Sequence, residues 1–540
     1  MPNEVKGTPQ EIVQAFLGGT PLDVIFTAHV PFQIPIETRY EHTHILAAQG
    51  HGKTQTLQHL IVHDLLSPDP PSMVIIDSQG QMIEKIQRLE AFRPDHGRLA
   101  HHLIIIDPKD EVPPALNVFD INQERLARYG PQMREQVLNG VLELYSYLFG
   151  SLRADLTQQQ STIFRAFARL MLTVPDANLG TLYELLVDHK PFLPYIEKLS
   201  EPSRSFFLND FILPAFNPTR QQIRRRLFDL LDNYTLKRML SAPQNRLNMF
   251  DALNSGKIIV VNTSKEFFKA EQSAFFGRFF IALALQAIEE RAGVPERHWH
   301  PVLLYIDEAQ EYFDDQIAKI ITELRKYNCG LVFCHHDLSQ LPQTIRSAAA
   351  RCAVQMIGGA IDVDARALAS DLRTTPQFIL DQKRDPRRPP HFTEYACYVR
   401  NQTEHAVSIR VPFYTLENQP TMDNLAHQIL RQVNRNMVGI LPEAPPGSAA
   451  PDEPASSQNG SNRQPDAGEA RPEQRSGKRA STSLADLKQK LADARYDALH
   501  ARREKDYQWL NELQDRVIPD LERQIASFEK KGDDLASEEY

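Results

Sequence analysis

Three things that the 540-residue sequence has little of narrow what the protein can be. Cysteine is scarce: Cys329, Cys334, Cys352 and Cys397 are the four present and no two form a CxxC pair. A disulfide framework and a zinc site are therefore excluded, and reduced thiols in a cytoplasmic protein are expected. Long apolar runs are also missing, since no window approaches about eighteen uncharged apolar residues. The opening MPNEVKGTPQ has neither a basic n-region nor an apolar h-region. No membrane span and no secretory signal are expected. Positive charge is the third deficit: 60 basic against 69 acidic residues leave a net charge of −9. That excludes a globally basic nucleic-acid coat while leaving room for a local basic surface or a pore.

What is there is ordinary globular text. Hydrophobic residues at 42% and charged residues at 24% rule out a wholly disordered or fibrous chain, and the length calls for more than one core. Short apolar runs at Thr43–Ala47, Met73–Asp77, Leu103–Asp107, Lys257–Asn262, Val302–Asp307, Leu331–His335 and Ala353–Ile357 alternate with helical patterns. Unalternating apolar strands separated by helices predict an α/β fold with a mainly parallel sheet covered on both faces. Between Asp107 and Lys257 the text is almost purely helical (Glu135–Phe149, Gln158–Leu172, Gly180–Val187, Gln221–Leu231), which predicts an inserted helical subdomain.

The expected organisation is an N-terminal segment (1–34), a core built from 35–119 and 250–415, a helical subdomain (120–249), a helix closing the core (416–441), a linker (442–483) and a tail (484–540). Pro442, Pro445, Pro446, Pro451, Pro454, Pro465 and Pro472 sit among small polar residues in the linker, which predicts disorder. In the tail, Leu484, Leu487, Leu491, Ala494, Ala498 and Ala501 step by three and four, and the stripe resumes at Leu510, Leu513 and Val517 before Pro519. Either a marginal helix with a solvated face or a coiled-coil segment that docks a protein partner fits that pattern. Residues 441–540 carry 15 basic and 20 acidic residues, so −5 of the net −9 belongs to linker and tail.

The strongest local signal is His42-Thr-His-Ile-Leu-Ala-Ala-Gln-Gly-His-Gly-Lys-Thr54, an apolar strand running into glycines and then Leu57, Leu60, Ile61 and Leu65 at helical spacing. Glycines let backbone N–H groups turn inward around phosphates, and a helix N-terminus adds partial positive charge. Gln49, Gly50, His51, Gly52, Lys53, Thr54 and Gln55 are the expected nucleotide-binding residues, with the Lys53 amine on the β/γ-phosphates and the Thr54 hydroxyl on Mg²⁺. Ala47 stands where the GxxxxGK[ST] pattern has its first glycine. The other reading of the segment is a glycine-rich turn with no ligand.

The second signal is Pro301-Val-Leu-Leu-Tyr-Ile-Asp-Glu-Ala-Gln310, a buried-type strand ending in two acids. Beside a phosphate loop, Asp307 is expected to hold Mg²⁺ and Glu308 to orient and polarise the attacking water; the plain alternative is an acid pair capping a helix. Asp77 and Asp107 close two further apolar runs and are candidates for the same crevice or for capped turns. His336, after Leu331-Val-Phe-Cys-His, could sense the γ-phosphate or cap a turn. Arg325 could complete a neighbouring subunit's site or be a solvated helix residue. Arg220, Arg224, Arg225 and Arg226 form one basic knot and Lys383, Arg384, Arg387 and Arg388 another; each suits phosphate contacts or a solvated face.

The order of these segments resembles the HerA/FtsK-type DNA-pumping P-loop ATPases, and among them the type IV secretion coupling proteins of conjugative DNA transfer. The resemblance spans roughly 35–415 and is carried by the P-loop, VIIDSQG, LIIIDPKD with Ala115-Leu-Asn-Val-Phe119, GKIIVVNTSKE, LLYIDEAQEYF and LVFCHHDLSQLP. It implies a RecA-like core, ATP and Mg²⁺ as ligands, sites between subunits, and a hexameric ring around DNA. Members that couple to secretion channels usually begin with transmembrane helices, which this chain lacks, and His336 stands where the family commonly has glutamine. The expected function is an ATP-hydrolysing, ring-forming DNA translocase that grips DNA without sequence preference through the ring interior. The alternative is a nucleotide-dependent assembly switch whose tail recruits a nuclease, relaxase or defence effector.

Overall fold

Runs such as Ser-Met-Val-Ile-Ile-Asp and Leu-Ile-Ile-Ile offer no wet face, so a sheet built from them must be covered on both sides. The computed structural model of the chain describes residues 9–22, 30–150, 158–314, 317, 324–386, 391–440, 516, 519–520 and 523. The chain divides into two compact units, Met1–Pro446 and Gly447–Tyr540. The predicted linker (442–483), almost all of the predicted tail helix, and Arg387 and Arg388 lie outside the described residues.

The strands are β1 (Thr43–Ala47), β2 (Ser72–Asp77), β3 (Leu103–Ile106), β4 (Ile258–Asn262), β5 (Val302–Ile306), β6 (Cys329–His335), β7 (Val354–Gly358), β8 (Arg384–Asp385), β9 (Phe392–Val399) and β10 (Val407–Pro412). Among the described residues they form one sheet in the order β10-β9-β7-β1-β6-β5-β2-β4-β3, with β8 paired on β9. Every neighbouring pair from β7 to β3 is parallel, and β9 runs antiparallel to β7, β8 and β10. This is a mixed α/β fold with a mainly parallel core. The antiparallel hairpin was not among the expected strands. β10 is short, largely exposed, carries Arg410 and ends in Pro412, a composition that suits a sheet edge and contains no apolar run.

The helices that matter for the site are α1 (Lys53–Leu65), α2 (Pro131–Gly150), α3 (Gln158–Met171), α4 (Asn217–Leu231), α5 (Ala270–Glu289) and α6 (Asn424–Val438). α2, α3 and α4 lie in the helical stretch between β3 and β4. There Phe164, Phe167, Phe206, Phe207, Phe211 and Phe216 pack ring against ring, with centroids 5.1–6.2 Å apart. α5 is buried on most of its circumference and joins this cluster to the sheet, so one core runs from Val261 and Ile306 through Phe276 and Phe280 to Phe167 and Leu227. The opposite face of the sheet is covered by α1 and α6, through Leu57, Ile61 and Leu430 against Ile45 and Tyr305.

A buried polar tie fixes α1 relative to the sheet. Arg39 donates to Asp64 Oδ1 at 2.6 Å and Oδ2 at 3.0 Å, and to the Tyr305 hydroxyl at 2.6 Å, while that hydroxyl also bonds Asp64. Burial raises the Tyr305 phenol well above its usual range. The tie links the turn before β1, the last turn of α1 and the middle of β5, the three elements whose relative position sets the candidate site.

Candidate nucleotide site

Sheet register brings the sequence motifs together. β6 lies between β1 and β5, with Ile306 opposite Phe333 and Leu46 opposite His335. Because the strands are parallel, the next residues outward fall side by side at one edge: Asp307 beside Cys334, and Ala47 beside His336. The loop after β1 then turns over this edge. Gly50 and Gly52 adopt φ of +77° and +109°, and Gly52 caps the N-terminus of α1. A Cβ on Gly52 would lie 2.9 Å from Phe413 Cε1, so both conformation and space demand glycine there.

Lys53, Asp307, Glu308 and His336 converge. The Lys53 amine lies 2.5 Å from His336 Nδ1 and 3.4 Å from Glu308 Oε1, and His336 Nε2 lies 3.2 Å from the same Glu308 oxygen. Lys53, Asp307 and Glu308 are all buried. The Thr54 hydroxyl lies 3.4 Å from Asp307 Oδ2. Glu308 holds a left-handed backbone at φ 52°, uncommon for a residue with a side chain. Its carboxylate also accepts from Gln310 Nε2 at 2.7 Å. Backbone strain at the residue carrying this buried carboxylate is a feature of functional sites.

Asp307 is held from behind. Its Oδ1 accepts the Glu308 N–H at 3.0 Å and the Cys334 thiol at 2.9 Å. Burial pushes the Asp307 carboxyl up to about 6, against the pull of the Cys334 thiol, with Glu308 adding to the rise. Burial likewise drives the Cys334 thiol well above its usual range, so it stays a neutral donor. Behind it, His44 Nε2 and His335 Nε2 lie 2.8 Å apart in stacked rings. Desolvation pulls His335 down to about 4 and lowers His44 well below its usual range, which keeps both imidazoles neutral.

The remaining candidates are distributed differently. Gln49 is exposed in the loop, and His51 is buried with Nε2 3.1 Å from the Glu394 carbonyl. Gln55 spends its amide on protein: Oε1 accepts the Tyr414 N–H at 2.6 Å and Nε2 donates to Gln58 at 2.9 Å. Asp77 accepts the N–H groups of Gln79, Met82 and Ile83, the capped-turn arrangement. Asp107 follows edge strand β3 and takes Asn262 at 3.1 Å and Arg431 at 3.4 Å, away from Lys53. Arg325 precedes β6 and pairs with Glu41 at 3.3 Å, at the sheet edge opposite Lys53. Of the basic knots, Arg224 and Arg225 stand exposed on α4, whereas Arg384 comes to the glycine loop after β1, 3.3 Å from where a Cβ on Gly50 would sit.

Sequence reasoning missed the hairpin residues around the loop. Thr393 Oγ1 donates to the His51 carbonyl at 2.7 Å, Thr56 Oγ1 donates to the Tyr395 hydroxyl at 3.0 Å, and Phe413 packs on Gly52. They belong to no phosphate motif; the β-rich text of Phe392–Val399 was the available signal. Cys334 was legible only through its place opposite Asp307 in the register.

No family model matches the chain, and no curated protein matches it. Solved structures do show a likeness. The bacterial conjugative coupling protein TrwBdeltaN70, in an unbound form, gives a TM-score of 0.48 at 15% identity over 74% of this chain and 92% of its own. The plasmid coupling protein TrwB with ADP and Mg²⁺ gives 0.48 at 16% over 75% and 93%, and its complex with the ATP analogue ADPNP gives 0.47 at 15% over 74% and 92%. These are coupling proteins, the group that the order of motifs resembles. At such identity, residue roles in this chain have to follow from its own geometry. Among the described residues no helix is long and apolar enough to cross a membrane, and no group of three or more His, Cys, Asp or Glu is placed to hold a metal ion.

Proposed function

We propose that the chain is a Mg²⁺-dependent ATPase that moves DNA as a ring of six identical subunits. The convergence of Lys53, Thr54, Asp307, Glu308 and His336 at one sheet edge carries this reading. The donor set suits the ion: a hydroxyl and a carboxylate 3.4 Å apart are hard oxygen ligands, and Mg²⁺ in nucleotide sites needs only one or two protein ligands besides phosphates. Bound there, Mg²⁺ would supply charge neutralisation to phosphate oxygens. Backbone N–H groups of 49–54 and the start of α1 would cradle the phosphate chain, and Lys53 would neutralise its β/γ end.

Glu308 is the group placed to accept a proton from water. Its partner Lys53 is also the natural partner of a phosphate, so an incoming triphosphate draws the amine away and leaves Glu308 as an acceptor. His336, touching both, registers that exchange and passes it into β6. Arg325, exposed at the far edge, suits a contact with a neighbouring copy. Arg224 and Arg225, exposed on α4, suit a DNA backbone, which would be gripped without sequence preference.

The test is ATP hydrolysis with and without double-stranded DNA, in wild type and Glu308→Gln. Strong stimulation that falls with salt, and a Glu308→Gln protein that binds ATP but hydrolyses it at least about a hundredfold more slowly, are expected. Unaltered hydrolysis in Glu308→Gln removes the assigned base. Hydrolysis indifferent to DNA favours a nucleotide-gated assembly switch over a motor.

A further inference from the structure

Phe413 and Tyr414 follow the last strand and lie along the start of α1. Phe413 closes against the Gly52 backbone, and the Arg384 guanidinium lies over its ring, 6.0 Å from the centroid. Tyr414 comes next, with its backbone in the left-handed region at φ 63°. Its N–H is held by Gln55 Oε1 at 2.6 Å, and Gln55 in turn is anchored by Gln58 at 2.9 Å and Glu417 at 3.3 Å. Two rings then fix the orientation of the Tyr414 ring: His391 at 85° with centroids 5.5 Å apart, and Phe413 at 84° with centroids 6.1 Å apart. Even so, 42% of Tyr414 remains exposed.

A tyrosine held on strained backbone, buttressed by two rings and open to solvent adds little to the core; it is the arrangement of a stacking surface. Its place along α1 says what would stack. Gly50 to Thr54 are where phosphates would bind, and Gln55, the residue that holds Tyr414, is next in the helix. A nucleotide with its phosphates in the loop carries its base to one side of the helix start, and the 413–417 segment occupies such a side.

We propose that Tyr414 is the platform on which the nucleobase of the bound nucleotide stacks, favouring purines over pyrimidines. This rests on the nucleotide reading above and deepens it. Stacking engages the ring face, so ATP and GTP bind alike, and the smaller face of CTP binds less tightly.

The test compares ATP with inorganic tripolyphosphate, which has the phosphates without the base, by calorimetric titration. Tyr414→Asn is the informative variant, because asparagine tolerates the left-handed backbone and has no ring. It should weaken ATP roughly tenfold and leave tripolyphosphate unchanged, and Tyr414→Phe should restore wild-type affinity. If Tyr414→Asn weakens both alike, or neither, or if wild type holds ATP no more tightly than tripolyphosphate, the platform is overturned while nucleotide binding stands. If wild type binds neither, the nucleotide reading fails and the platform with it.

Discussion

Replacing Asp307 by asparagine should make the nucleotide-free protein more stable while disabling it. Asp307 is 1% exposed, and its carboxyl is pushed from an ordinary 3.8 up to about 6. A carboxyl whose folded value is raised holds its proton more tightly in the folded state than in the unfolded one. Its ionisation therefore costs stability: nothing below about 4, progressively more as pH rises, and the full amount above about 6. The gap between 3.8 and about 6 corresponds to about 3 kcal/mol at pH 8. Asparagine is nearly the same size and keeps the acceptor at Oδ1 for the Cys334 thiol and the Glu308 N–H, while its amide replaces Oδ2 beside the Thr54 hydroxyl. It carries no charge at any pH, so it avoids the cost. Thermal denaturation in EDTA, wild type against Asp307→Asn from pH 5 to pH 8, is the assay. The variant should melt several degrees higher at pH 8, and the difference should shrink towards pH 5. Mg²⁺ with ATP should then raise the melting point of the wild type and not of the variant. A pH-independent difference, or a variant less stable at pH 8, refutes a desolvated charge at this position.

Three further outcomes are expected. Cys334→Ala removes a donor from a buried carboxylate and should raise the Mg²⁺ concentration needed for half-maximal hydrolysis by about tenfold, while Cys334→Ser, which keeps a donor, should stay close to wild type in a Mg²⁺ titration. Asp64→Ala leaves the Arg39 guanidinium buried beside Tyr305 without its carboxylate and should cost about 3–5 kcal/mol, read as a large fall in melting temperature; the Arg39→Met, Asp64→Leu pair should recover most of it. Arg224→Ala with Arg225→Ala should leave DNA-free ATPase activity unchanged, weaken DNA binding for every sequence tested, and flatten its dependence on salt by about one to two counterions.

Much of the site was legible in the chain. A strand, a glycine turn and a helix start are local events, so Gly50, Gly52, Lys53 and Thr54 could be read from their neighbours, and so could the acids at the end of an apolar strand. What could not be read was which strand ends meet. Asp107 closes a run as apolar as that before Asp307, yet β3 is an edge strand and its acid turns to Arg431. Arg384 belonged by composition to an arginine run, yet β8 carries it to the glycine loop.

Local interactions therefore decided the elements and the residue types within them: apolar strands covered on both faces, a glycine turn leading into a helix, an acid pair and a phenylalanine-rich helical stretch. Strand order and register, which arise from pairings between residues up to hundreds of positions apart, decided the neighbours. They set Cys334 against Asp307, His336 against Lys53, and Tyr414 beside Gln55. No periodicity in the text encodes such pairings, because each is the joint outcome of packing α1 and α6 on one face and α5 on the other. The scarcity of cysteine shows the difference: by count the four thiols excluded a disulfide frame, but only the fold made one of them a hydrogen-bond donor to the buried acid.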